Sequence, residues 1–70
     1  MARFRIDRVD GSVHYADADR LIQSEGTLAL ERRTADIWLP VLEVPVDEII
    51  GLSRRHTELS GAWTWGQVYP

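Results

Sequence analysis

Asp10-Gly11 lies between two stretches whose apolar residues recur at every second position, and that combination leaves a chain few folds to choose from. A two-residue type I′ turn needs positive φ at both central positions, which Gly adopts without strain. Taken as such a turn, the pair sets Ile6 against Tyr15, Asp7 against His14 and Arg8 against Val13. Phe4, Ile6, Val13 and Tyr15 then share one face, while Arg3, Arg5, Asp7, Ser12, His14 and Ala16 share the other. This is the pattern of a hairpin with one side in water.

Glu25-Gly26 repeats the device, although Glu is a poorer first residue for such a turn than Asn or Asp. The same geometry places Leu21 opposite Leu30, Gln23 opposite Leu28 and Arg20 opposite Glu31, the last a cross-strand charge pair. A second hairpin over residues 20–33 follows. The competing reading, a short helix from Asp17 to Ser24, has an N-cap candidate and fair propensity but too few residues to stand alone.

Arg32 to Asp36 forms a polar connection, and Ile37 to Val46 is a β-rich run interrupted by Pro40 and Pro45. Proline cannot donate to a ladder, so this strand belongs at an edge or bends at Pro40, with Leu42, Val44 and Val46 on one face. Pro45 to Ile49 is expected to form one helical or 3₁₀ turn that Asp47 can cap, followed by a last strand from Ile50 to His56. Five short strands predict an all-β fold, a small SH3-like barrel or roll over residues 1–56. Residues 57–70 hold Trp63, Trp65 and Tyr69 and are predicted to be an extended aromatic tail.

The stretches Phe4-Arg5-Ile6, Asp10-Gly11-Ser12-Val13-His14-Tyr15-Ala16-Asp17-Ala18, Gly26-Thr27-Leu28-Ala29-Leu30 and Val44-Pro45-Val46-Asp47-Glu48-Ile49-Ile50 resemble the short β-meander proteins of high-G/C actinobacteria and their phages. The resemblance spans residues 3–55. It implies a fold and a genomic setting and transfers no site residue.

Composition narrows the function. Seventy residues make one domain, and a chain of that size buries only about 60% of its unfolded surface. There is no Cys, which removes disulfides, thiolate metal sites and thiol catalysis. No apolar run approaches the ~18 residues of a membrane helix, and Met1-Ala2-Arg3-Phe4-Arg5 lacks a signal-peptide stretch, so a cytoplasmic location is expected, or a virion if the chain is phage-encoded. A net charge of −3 argues against a general nucleic-acid binder. All eight basic residues are Arg, and Lys and Asn are absent, as expected of a G/C-rich genome.

Candidate chemistry is thin. His14, Asp17 and Asp19 are potential metal ligands, but on a strand His14 points away from the two carboxylates, and His56 sits beside Arg54 and Arg55. Neither histidine has a serine in a nucleophile turn, Ser12, Ser24, Ser53 and Ser60 fall in turns or strands, and Asp47 and Glu48 lie where a turn wants polar residues. The expectation is a non-enzyme with no cofactor and no metal.

Partner contact is the better prospect. The doublets Arg32-Arg33 and Arg54-Arg55 could gather four guanidinium groups for carboxylates or phosphates, although alternation sends only one Arg of each doublet to a given face. Trp63 and Trp65, two apart, show on one face of an extended tail, with Val68 and Tyr69 beyond. Either these rings fold back to complete the barrel's core or they anchor another subunit, a role in which Trp is enriched. The leading expectation is a structural or assembly module that binds a protein partner or its own copies, such as a minor capsid or decoration protein of a phage head. The alternative is a small regulatory or host-interaction protein that binds protein or nucleic acid through its Arg doublets.

Overall fold

Extended segments and tight turns alternate along the whole described chain. A computed structural model describes residues 1–69. The strands are β1 (Ala2–Arg8), β2 (Val13–Ala18), β3 (Arg20–Ser24), β4 (Thr27–Thr34), β5 (Ile37–Pro45), β6 (Ile49–Thr57) and β7 (Trp63–Tyr69), with one 3₁₀ turn at Val46–Glu48. They form two antiparallel sheets, one of four strands in the order β2-β1-β6-β7 and one of three in the order β3-β4-β5. The fold is all-β, as expected. Among the described residues the strands number seven rather than five and close no barrel, so the SH3-like arrangement gives way to two facing sheets.

The chain passes between the sheets at Asp19, the single residue between β2 and β3. Its backbone N–H donates to the Glu31 carbonyl at 2.8 Å, and its carboxylate accepts the Arg33 backbone N–H at 2.9 Å, so both halves of the corner are tied to β4. Between the sheets lies the core: Phe4, Ile6, Ala18, Leu28, Leu30, Val44, Ile49 and Leu52. Leu42 and Val46 pack against it beside Val44, which is the face the alternation of β5 predicts.

The first hairpin differs from expectation by one residue. Ile6 pairs with His14, Asp7 with Val13 and Phe4 with Ala16, because the loop holds Val9, Asp10 and Gly11. The Gly11 N–H donates to the Arg8 carbonyl and the Arg8 N–H to the Ser12 carbonyl, both at 3.0 Å, with Gly11 at φ 88°. That is a type I turn closed by a left-handed Gly, the three-residue hairpin connection. Asp10 fixes it by accepting from the Ser12 backbone N–H at 2.8 Å and from its hydroxyl at 2.6 Å. A one-residue slip turns every side chain of β2 to the other face. Ala16 and Ala18 therefore point inward, and Val13 and Tyr15, expected in the core, face out.

The second hairpin has the expected register, Arg20 to Glu31, Leu21 to Leu30 and Gln23 to Leu28, with Glu25 and Gly26 both at positive φ. No helix replaces it. The connection expected at Arg32–Asp36 is shorter, since Arg32 and Arg33 continue β4 and a two-residue turn at Ala35-Asp36 leads to β5. Both turn residues are left-handed, at φ 47° and 69°, without Gly or Asn. β5 is an edge strand, as its prolines require, and the 3₁₀ turn forms without a side-chain cap from Asp47. Instead Glu48 pairs with Arg8, tying the turn to the end of β1.

Residues 57–69 are not an appended tail. Thr57 closes β6, and residues 63–69 return beside it as β7, paired from Thr57–Trp63 to Leu52–Tyr69. The division at residue 56 thus falls inside one sheet, and Pro70 lies outside the described residues. Three strands carry an extra, unpaired residue, Val41 in β5, Ile50 in β6 and Val68 in β7, and all three are exposed. Such bulges bend a strand and turn one side chain out of the alternation.

Candidate functional site

All three tryptophans lie outside the core. Alternation fixes this: Leu52 faces the core, so Ser53 and Arg55 face away, and pairing Arg55 with Trp65 and Thr57 with Trp63 puts both rings on the outer face of the four-stranded sheet. Arg5 pairs with both Tyr15 and Ser53, so the same face carries Tyr15, Arg5, Ser53, Arg55, Trp65 and Trp63 across all four strands.

These side chains touch. The Trp65 and Tyr15 ring centroids are 5.9 Å apart, and Trp63 meets Trp65 edge-on at 5.9 Å. The Arg5 guanidinium lies 5.4 Å from the Trp65 ring centre and that of Arg55 lies 5.2 Å from the Trp63 ring centre. An aromatic face attracts a cation through its quadrupole, so each arginine both packs against a ring and holds its orientation. Ser53 is only 7% exposed although it faces away from the core, because the rings bridging from β7 to β2 pass over its row. Trp63 and Tyr15 remain 56% and 58% exposed. Arg5 also pairs with Asp7 at 3.5 Å, and Arg3 with Asp17 at 3.2 Å. The bond from Arg3, with smaller contributions from Arg32 and Arg55, holds the Asp17 carboxyl below the usual range and raises Arg3. Three arginines against Asp7 and Asp17 leave this face locally cationic on a protein of net charge −3.

The expected partner-binding residues divide. Trp63 and Trp65 lie together on the outer face. Tyr69 turns inward, where it packs against the core, so of the aromatic tail this ring alone completes it. Val68 sits on its bulge and lines an open groove of about 260 Å³ with Phe4, Asp19, Arg20, Leu21 and Arg54. The Arg doublets do not converge. Arg54 lines the groove, Arg55 stacks on Trp63, Arg32 reaches the Met1 sulfur at 3.8 Å, and Arg33 pairs with Asp36 at 3.7 Å. Among the described residues no carboxylate lies within ion-pair distance of Arg32, Arg54 or Arg55.

Sequence reasoning missed two groups. Tyr15 joined the aromatic face through the one-residue slip, which set it beside Arg5, already expected on that face. On the outer face of the other sheet Arg20 lies 3.8 Å from the Trp38 ring centre and bonds Glu31 at 2.7 Å, with Arg33 at 5.5 Å from the same ring. The cross-strand pair was legible, but the bulge at Val41 that brings Trp38 alongside was not.

The groups weighed for chemistry are engaged elsewhere. His14 stands opposite Ile6, not Asp7, and touches the Ser12 hydroxyl at 3.4 Å. Asp10, Ser12 and His14 thus adjoin, but the serine proton goes to the carboxylate and nothing orients the imidazole, unlike a nucleophilic triad. Asp10 is held below the usual carboxylate range by its bonds from Ser12, and Asp19 by the Arg33 N–H and the terminal ammonium at 3.5 Å. Among the described residues no group of three His, Asp or Glu side chains is placed to hold a metal, and no helix is long and apolar enough to cross a membrane. Compared with models of known families, with curated proteins and with solved structures, the chain matches none.

Proposed function

We propose that this protein is a non-enzymatic binding module that docks on a protein partner through the outer face of its four-stranded sheet, as a small accessory subunit of a larger assembly. The carrying observation is the exposed run Tyr15-Trp65-Trp63 with Arg5 and Arg55 stacked on it, built outside a core that is complete without any tryptophan. Trp, Tyr and Arg are the residues that dominate binding energy at protein interfaces, and rings already held by neighbours lose little freedom on binding. A phage head, with minor capsid or decoration subunits, is the setting we favour.

Single-stranded nucleic acid is the second reading, because bases stack on aromatic side chains while arginines meet phosphates. The protein's net charge opposes it. The test compares wild-type protein with the Tyr15→Ala/Trp63→Ala variant. Each is used to capture a partner from source extract, the partner is identified, and it is titrated by calorimetry. The docking reading expects the variant to bind at least ~10-fold more weakly, a loss of about 1.4 kcal/mol. Equal binding by the variant would refute it. Salt-sensitive quenching of tryptophan fluorescence by a single-stranded oligonucleotide, with no protein bound, would favour the second reading.

A further inference from the structure

Four strands lie at sheet edges, and three of them carry the features that discourage pairing with another chain. β2 contains Asp17, β3 contains Arg20, and β5 contains Glu43, Pro40 and Pro45. β7 reads Trp63-Thr64-Trp65-Gly66-Gln67-Val68-Tyr69, with no charge and no proline, and its one bulge, at Val68, leaves Trp63 to Gln67 as a regular stretch. An uncharged, aromatic, proline-free strand with one side unpaired is a template for strand addition, and proteins that stay monomeric blunt such edges.

We infer that β7 pairs with β7 of a second copy, antiparallel about a two-fold axis, joining two four-stranded sheets into one. Charge selects this occupant. β7 itself carries no charge to steer a foreign segment, and two copies of it meet without like charges opposed in the ladder. At the middle of the strand Gly66 presents no side chain, and on the neighbouring strand the His56 ring lies 3.2 Å from where a Cβ would stand. The face of Gly66 toward the core side is therefore filled by the protein's own histidine, while the edge itself stays open. With the axis at Trp65, the centre of the regular stretch, each Trp65 faces its counterpart and each Trp63 faces Gln67 of the other copy, which extends the aromatic face without covering Tyr15. Each copy brings two rings of a type that buries at most ~150–250 Å², so a five-residue ladder with these rings falls below the ~1,200 Å² of a standard interface and makes a weak dimer, for which affinity from micromolar to sub-millimolar is expected. This goes beyond the docking role and does not depend on a foreign partner.

Sedimentation velocity on the full chain from ~1 to ~500 µM tests it across that affinity range. Wild type is expected to pass from 8.0 kDa to twice that mass. Gln67→Lys and, on the opposite face of the strand, Thr64→Lys each place two ammonium groups near the axis and are expected to weaken the dimer at least ~10-fold, with melting of the dilute protein confirming that each variant folds. Thr64→Lys, whose side chain lies on the face opposite Trp63 and Trp65, is expected to dock on the partner as wild type does even where it weakens the dimer, so the two readings fail separately. A wild type that stays monomeric throughout, open-ended aggregates instead of a dimer, or a dimer indifferent to both lysines would each overturn the inference.

Discussion

The Trp65 ring meets the Tyr15 ring at 5.9 Å although the two residues sit on opposite edge strands of the four-stranded sheet. Only Arg5 and Ser53 occupy the row between, and the small serine leaves room for the indole to lean inward. Trp65 is therefore part of how the sheet is covered, whereas Trp63, edge-on beyond it, is mostly solvated. Replacing them separately tells the roles apart. Trp65→Ala uncovers Ser53 and the Arg5 stack and is expected to cost about 1–3 kcal/mol. Trp63→Ala is expected to stay within about 0.5 kcal/mol of wild type. Chemical denaturation of both variants checks this.

The turn between β4 and β5 stores strain. Ala35 and Asp36 both hold left-handed conformations that cost a residue with a Cβ roughly 1 kcal/mol or more. The double change Ala35→Asn with Asp36→Gly supplies the residues this turn prefers and forfeits only the exposed Arg33–Asp36 pair. It is expected to raise the melting temperature by roughly 4–8 °C, the value of about 1 kcal/mol in a domain this small.

Acid should weaken the fold through three of its aspartates. Asp10, Asp17 and Asp19 are each held below the usual range, by Ser12, by Arg3 and by the Arg33 N–H respectively. A carboxyl whose folded value is depressed binds fewer protons folded than unfolded, so its contribution is present above the unfolded value near ~3.9 and is lost as pH falls through the folded value. Melting temperature is expected to fall below pH ~4, and the fall is expected to be shallower in Asp19→Asn, which no longer titrates. An acid limb identical in that variant would remove Asp19 from the account.

How far the sequence foretold this depends on the residue. Glu25-Gly26 announced its hairpin correctly because both residues take positive φ and the loop has two residues. Asp10-Gly11 announced a hairpin but not its register, since Asp10 is the middle of a three-residue loop and only its bond to Ser12 shows this. That single residue moved Tyr15 from the expected core to the outer face and so hid one of the three rings of the aromatic run. The strand character of residues 63–69 was masked by the spacer Glu58 to Ala62, whose turn is closed by backbone bonds, Gly61 N–H to Glu58 at 2.9 Å and Glu58 N–H to Ala62 at 2.7 Å. Trp63 and Trp65 were found as a same-face pair because spacing by two survives whether the segment is free or paired.

The three indole N–H resonances give the most direct measure of whether the functional surface is the outer face of the four-stranded sheet. Trp38 lies on the other sheet and serves as an internal control. Nitrogen–proton correlation spectra recorded from ~10 µM to ~1 mM, a range spanning micromolar association, and again with a captured partner, follow all three rings in one sample. The signals of Trp63 and Trp65 are expected to shift or broaden on association while that of Trp38 stays in place. Movement of Trp38 with the other two unchanged would put the interface on the opposite sheet and contradict the account.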